Sequence, residues 1–254
     1  MTIAENLTKV RENIARAARE AGRDERDILL IGATKMNDAA RVREAIAAGL
    51  TACGENRVQE LLEKNAAGAY EGAQLHFIGH LQRNKVKQVV GVAQLIHSVD
   101  SVELMSAISR EAEKKGIVQD VLLEINVAGE ASKSGAAPEN LPELLEKAGD
   151  FPGLRVRGLM AIPPICRFPD ENLPYFNLMH QLFIDNGAKK YDNVVMDFMS
   201  MGMSGDYQAA ISCGANMIRL GTAIFGKRQY PEKKSVAQVR PSICSLEDCH
   251  GFHG

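Results

Sequence analysis

The chain has 254 residues, 45% hydrophobic and 24% charged, which suits one large globular domain; a formal net charge of −2 with both signs interspersed leaves no basic face for a nucleic-acid backbone. No apolar run nears the roughly 20 residues of a membrane-spanning helix, and the mixed charges of the first dozen positions do not make a signal peptide. Five cysteines without framework spacing fit a reducing setting, so a soluble, cytoplasmic protein is expected.

Taken in chain order, residues 3–21 place Ile3, Leu7, Val10, Ile14, Ala17 and Ala18 at helical spacing with Gly22 as a stop. The run ILLIGA at 28–33 then reads as a strand buried on both faces, as in a parallel sheet. From there the pattern alternates: helix 38–48, strand 51–53, helix 56–66, strand 75–78, helix 82–90, strand 94–97, helix 101–115 and strand 118–125. The second half continues with helix 138–148, strand 154–160, helix 172–186, strand 194–198, helix 205–213 and strand 216–219. Eight strands alternating with helices predict right-handed βαβ units closing into a single α/β (β/α)8 barrel with one additional N-terminal helix. The barrel is expected over 1–230, with a poorly ordered polar tail over 231–254.

In such barrels reactive groups sit at the C-terminal ends of the strands. Here those ends carry Lys35, Gly54-Glu55-Asn56-Arg57, Gly79-His80, Asp100, Asn126, Met160, Ser200 through Gly205, and Arg219 through Thr222. Lys35 follows a largely apolar strand, so its amine lies at a rim of low dielectric, where burial favours attack on a carbonyl. The competing reading is a lysine that reaches solvent or pairs with Glu55. Ser204-Gly205 opening a helix and Gly221-Thr222 after a strand offer N–H groups and hydroxyls to an anion. Set across the mouth from a strand-end lysine, they describe a site for a phosphorylated carbonyl compound.

Arg219, ending an apolar strand, must find an acceptor; it either pairs with a carboxylate such as Glu55 or donates to a ring nitrogen. His76 and His80 read as structural, His80 as a cap for a helix beginning near Leu81. Met36, Met160, Met199, Met201 and Met203 read as adaptable packing in or beneath the mouth. Cys244, Cys249, His250 and His253 hold the elements of a metal site, but with no second cluster to close a tetrahedron no metal is expected.

Several strings, GEN at 54–56, VQELL at 58–62, HFIGHLQ at 76–82, SVDS at 98–101, SMGMSGD at 200–206 and RLGTAIFG at 219–226, together resemble the pyridoxal phosphate homeostasis proteins. The resemblance covers about residues 3–230 and implies a barrel like the N-terminal domain of alanine racemase. It implies that Lys35 carries pyridoxal 5′-phosphate as a Schiff base, with Asn56 beside it. It further implies that Ser204, Gly221 and Thr222 hold the phosphate, Ser200 and Met201 lie nearby, and Arg219 faces the pyridine nitrogen. An arginine there disfavours ring protonation and weakens the electron sink. The run Thr34-Lys35-Met36-Asn37 departs from the family's frequent Ser-Lys-Thr-Lys by lacking a second lysine, and the stretch 163–175 matches no family string.

Racemisation on this cofactor needs a second acid/base, usually a tyrosine, on the opposite face of the substrate carbon. None of Tyr70, Tyr175, Tyr191, Tyr207 and Tyr230 falls convincingly at a strand end, although Tyr207 lies near the phosphate loop. The expectation is therefore a monomeric carrier or buffer of the cofactor that exchanges it with apo-enzymes. A weak amino-acid racemase is the alternative, and a sugar-phosphate barrel enzyme using Lys35 is a third reading.

Overall fold

In the computed structural model, residues 1–130 and 133–226 are described. Eight parallel strands close into a barrel in the order β1 to β8: Leu29–Ala33, Ala52–Glu55, Gln74–Phe77, Leu95–Val99, Gln119–Glu124, Leu154–Met160, Val194–Ser200 and Met217–Leu220. The expected 231–254 tail, with Cys244, Cys249, His250 and His253, lies outside the described residues, as do Tyr230 and the 230/231 boundary.

Closure pairs β1 with both β2 and β8, Ile31 standing beside Ala52 on one side and Arg219 on the other. Period-two alternation then sends one set of side chains inward. Ile31, Ala52, Leu95, Leu122, Met160 and Met217, from six strands, make an interior cluster separate from the larger apolar layer between strands and helices. At Gly158 in β6, where the β6–β7 register shifts, φ is +139° and an added Cβ would lie 1.9 Å from the carbonyl oxygen of Phe198. Only glycine fits that bulge. Below the interior cluster, Asp120 joins Arg155 and Arg157, and Arg157 reaches Asp197.

The first helix, α1 (Ile3–Glu20), opens on a capping box between Thr2 and Glu5 and buries the expected stripe from Ile3 to Ala18. Its four large apolar members are worth about 1.5–3 kcal/mol each in burial. Asn6 Nδ2 donates to the Ile224 carbonyl at 2.9 Å, which ties the helix over the last strand's exit.

The remaining helices are α2 (Ala39–Ala47), α3 (Val58–Ala66), α4 (Val86–Val89), α5 (Val102–Lys114), α6 (Leu141–Ala148), α7 (Leu173–Gly187), α8 (Tyr207–Ser212) and α9 (Thr222–Phe225). Two differ from expectation. The helix expected over 82–90 is a 3-10 turn at Arg83–Lys85 followed by the single turn of α4, because β-branched Val86, Val89 and Val90 with no side-chain cap favour helix poorly. Its cap position is Gln82, so His80 does not cap it. The helix expected from 205 begins at Tyr207, since Asp206 Oδ1 takes the Met203 N–H and closes a turn first.

Candidate functional site

The strand ends converge as barrel geometry requires, and closure decides which of them touch. Because β8 is the neighbour of β1, the Gly221-Thr222 segment lies beside Lys35, not across the mouth from it. Lys35, Gly221 and Thr222 line one cavity of about 360 Å³, with Asn37, Arg41 and Phe225 completing its walls. Ser204 lines an adjoining cavity with Thr222 and Tyr207. Its hydroxyl does not open a helix; it accepts the N–H groups of Gly221 and Ala223, both at 3.3 Å. Backbone donors thus converge on one oxygen at the exit of β8.

Lys35 is half-buried in a turn two residues past β1. Thr34 before it is fully buried, its N–H donating to the Gly54 carbonyl at 3.0 Å and its hydroxyl to Glu55 Oε1 at 2.6 Å. Gly54 faces the barrel interior, where an added Cβ would meet Ile78 and Ile31. Glu55, one residue on, therefore faces outward toward α3. There it pairs with Lys64 at 2.6 Å and accepts from the Tyr70 hydroxyl at 3.0 Å. Arg219 is not its partner, because strand alternation puts Glu55 and Arg219 on opposite faces of the sheet.

Arg219 is buried, 5% exposed, at the barrel axis. It donates to Ser200 Oγ at 2.5 Å and to the Ala161 carbonyl at 2.9 Å. Ser200 Oγ also lies 3.1 Å from His97 Nδ1, and His97 Nε2 lies 3.0 Å from His76 Nδ1. Because Gln74 Oε1 only accepts, a neutral His76 carries its proton on Nε2, and Ser200, accepting from the guanidinium, donates its hydroxyl to His97 Nδ1. His97 Nε2–H then donates to His76 Nδ1, and His76 Nε2–H points to Gln74 Oε1 at 3.3 Å. The chain of bonds runs one way from mouth to base.

The local fields agree with this polarity. Burial pushes His76 down to about 4, and burial reinforced by His76 and Arg219 holds His97 well below its ordinary value, so both rings are neutral. Burial also brings Arg219 down to about 10, against the pull of Glu124 and Asp206. At the end of β5, burial and the repulsion of Asp100 lift Glu124 to about 7, with Arg219 opposing.

Of the residues the sequence proposes, Lys35, Gly221 and Thr222 share the cavity; Arg219 and Ser200 lie on the barrel axis, and Ser204 braces the β8 exit. Asn56 is half-buried, with a buried Oδ1 that has no hydrogen-bond partner, against Gly79, whose added Cβ would lie 2.0 Å from the Asn56 carbonyl oxygen. Met201 is fully buried in the outer apolar layer, as are Met199 and Tyr207 nearly so, while Met160 packs in the barrel interior and Met36 is exposed.

Sequence reasoning passed over His97, Glu124 and Lys64. A charged residue closing the apolar run VLLE was a signal for Glu124 of the same kind as that for Lys35. His97, midway along LIHSV, is distinguished only by its inward face. Among the described residues no group of three or more His, Cys, Asp or Glu is placed to hold a metal ion, and no helix is long and apolar enough to cross a membrane.

Comparison with known proteins adds four findings. Residues 6–229 match the family model described as alanine racemase, N-terminal domain. The pyridoxal phosphate homeostasis protein of Aquifex aeolicus is 45% identical over 230 residues, which are 91% of this chain and all of that one. Among solved structures, one described as an unknown protein from Bifidobacterium adolescentis superposes with a TM-score of 0.82 at 35% identity, covering 88% of this chain and 94% of that one. PipY of Synechococcus elongatus, solved with PLP bound, gives a TM-score of 0.72 at 31% identity, covering 89% of this chain and all of PipY.

Proposed function

The chain belongs to the family of pyridoxal phosphate homeostasis proteins, and from that premise we propose that it binds pyridoxal 5′-phosphate at the barrel mouth and carries or buffers it without committed catalysis. The observation that carries this reading is the single cavity shared by Lys35, Gly221 and Thr222. When bound, the cofactor supplies an aldehyde that an amine can take up and a phosphate that serves as a handle.

The residues present fit such a group. Lys35 is the amine assigned to the aldehyde. Ser204, Gly221 and Thr222 are assigned to the phosphate, where the N–H groups of Gly221 and Ala223 already converge and backbone dipoles favour an anion. Asn56 brings a buried acceptor with no protein partner. Arg219, braced by Ser200, is assigned to the ring nitrogen, and Met201 lends shape from beneath. A cationic donor there would disfavour protonation of the ring nitrogen and so weaken the ring as an electron sink.

In this reading the chain works as a cytoplasmic monomer and its partners are apo-enzymes that use the cofactor. No second acid/base is assigned, which separates it from a racemase; Tyr207 is 7% exposed. The test is an absorbance titration of the purified protein with pyridoxal phosphate, then borohydride reduction and peptide mapping. The label is expected on Lys35 and is expected to vanish in Lys35→Ala, with negligible racemisation of common amino acids. Label elsewhere in the wild type, or robust turnover, would overturn it.

A further inference from the structure

Residues 34–37 form a turn whose Thr34 carbonyl accepts the Asn37 N–H at 3.1 Å. Its third residue, Met36, has φ +61°. That is a type II pattern, which favours glycine or asparagine at this position. A methionine there is strained, and the ordinary relief is to flip the peptide between the second and third residues into a type I turn. Lys35 is the second residue and keeps the same φ in both turn types, so the flip turns its carbonyl and swings Met36, which lines the cavity beside it. The Met36 side chain is 46% exposed and gives little packing to prevent it.

Both ends of that peptide are pinned instead. The Lys35 carbonyl accepts from Asn37 Nδ2 at 3.2 Å, and the Met36 N–H donates to Glu60 Oε2 at 2.8 Å. Glu60 is itself held. Lys64, one turn further along α3, donates to Glu60 Oε2 at 3.2 Å, Glu55 Oε1 at 2.6 Å and the Thr34 carbonyl at 2.8 Å. Three acceptors match the three N–H bonds of an ammonium. Partial burial pushes the Glu60 carboxyl up, but the Met36 N–H and Lys64 outweigh it and hold it below its ordinary value.

We propose that Glu60, fixed by Lys64, is a positioning residue that locks the Lys35–Met36 peptide and so holds the wall of the cofactor cavity formed by Lys35, Met36 and Asn37. The proposal rests on the reading of Lys35 as the cofactor amine. All three N–H bonds of Lys64 are committed to protein acceptors.

The experiment compares Glu60→Ala with Glu60→Gln, which keeps an oxygen acceptor for the Met36 N–H. In the cofactor-free protein, amide hydrogen exchange at Met36 is expected to accelerate about tenfold in Glu60→Ala, the size of one lost hydrogen bond to a charged group. The Gln variant is expected to stay near the wild type. In an absorbance titration with pyridoxal phosphate, Glu60→Ala is expected to bind about tenfold more weakly, and Met36→Gly in that background to recover affinity because glycine accepts a positive φ. Unchanged Met36 exchange, or weakened binding that Gln fails to restore, would overturn the proposal. If the wild type takes up no cofactor on Lys35, the functional reading fails by itself, and the exchange measurement alone then decides the lock.

Discussion

Glu124 offers a quantitative test of how the mouth is built. Burial and the repulsion of Asp100 raise its carboxyl from an ordinary 4.5 to about 7 in the folded chain. Below the unfolded value both states hold the proton. Between the two values only the folded state keeps it, so the unfolded state binds fewer protons and stability falls as pH rises, the loss being complete above about 7. A gap of about two and a half pH units at about 1.4 kcal/mol per unit amounts to about 3 kcal/mol. Glu124→Gln is a neutral near-isostere that carries no such dependence. Urea unfolding of both proteins from about pH 5 to about pH 8 should show the stability difference moving by about 2–3 kcal/mol in favour of the variant, part of the loss having already occurred at about pH 5. Comparing the two cancels groups common to both, among them His76, which works in the opposite sense by losing stability as pH falls from 6.5 through about 4. A difference that stays flat within about 0.5 kcal/mol would refute the placement of Glu124 as a buried acid beside Asp100 and Arg219.

His97→Leu strands the Ser200 hydroxyl and His76 Nδ1, and should cost about 1–3 kcal/mol per stranded group in thermal unfolding; a loss below that range would show that the axial chain does not brace Arg219. Gly79→Ala would press a methyl onto the Asn56 carbonyl oxygen, 2.0 Å away. That overpacking should destabilise by about 1–3 kcal/mol and weaken pyridoxal phosphate uptake in an absorbance titration, whereas an unaffected titration would remove Asn56 from the site.

Much of this was legible in the chain itself. Apolar runs of strand length between amphipathic helices point to a parallel sheet covered on both faces, and a count of eight favours its closure into a barrel over an open doubly wound sheet. A polar residue ending an apolar run is a local signal, and it picked out Lys35, Arg219 and Gly221-Thr222. Its limits are equally local. Glu55 and Arg219 both end apolar strands, yet one faces α3 and the other the barrel axis, and an isolated strand does not say which face will be inside.

Composition, period and motif therefore determined the architecture and the set of polar groups at the mouth, since these depend on neighbours within a few residues of one another. Closure decided the rest. It made the first strand and the eighth adjacent, put Lys35 beside the β8 exit, and threaded Arg219, Ser200, His97 and His76 into one chain of bonds from four strands. It also brought Glu60 and Lys64 of α3 under the Lys35 turn. Those contacts join residues far apart in the chain, and their geometry comes from strand register and barrel closure, which no local pattern encodes.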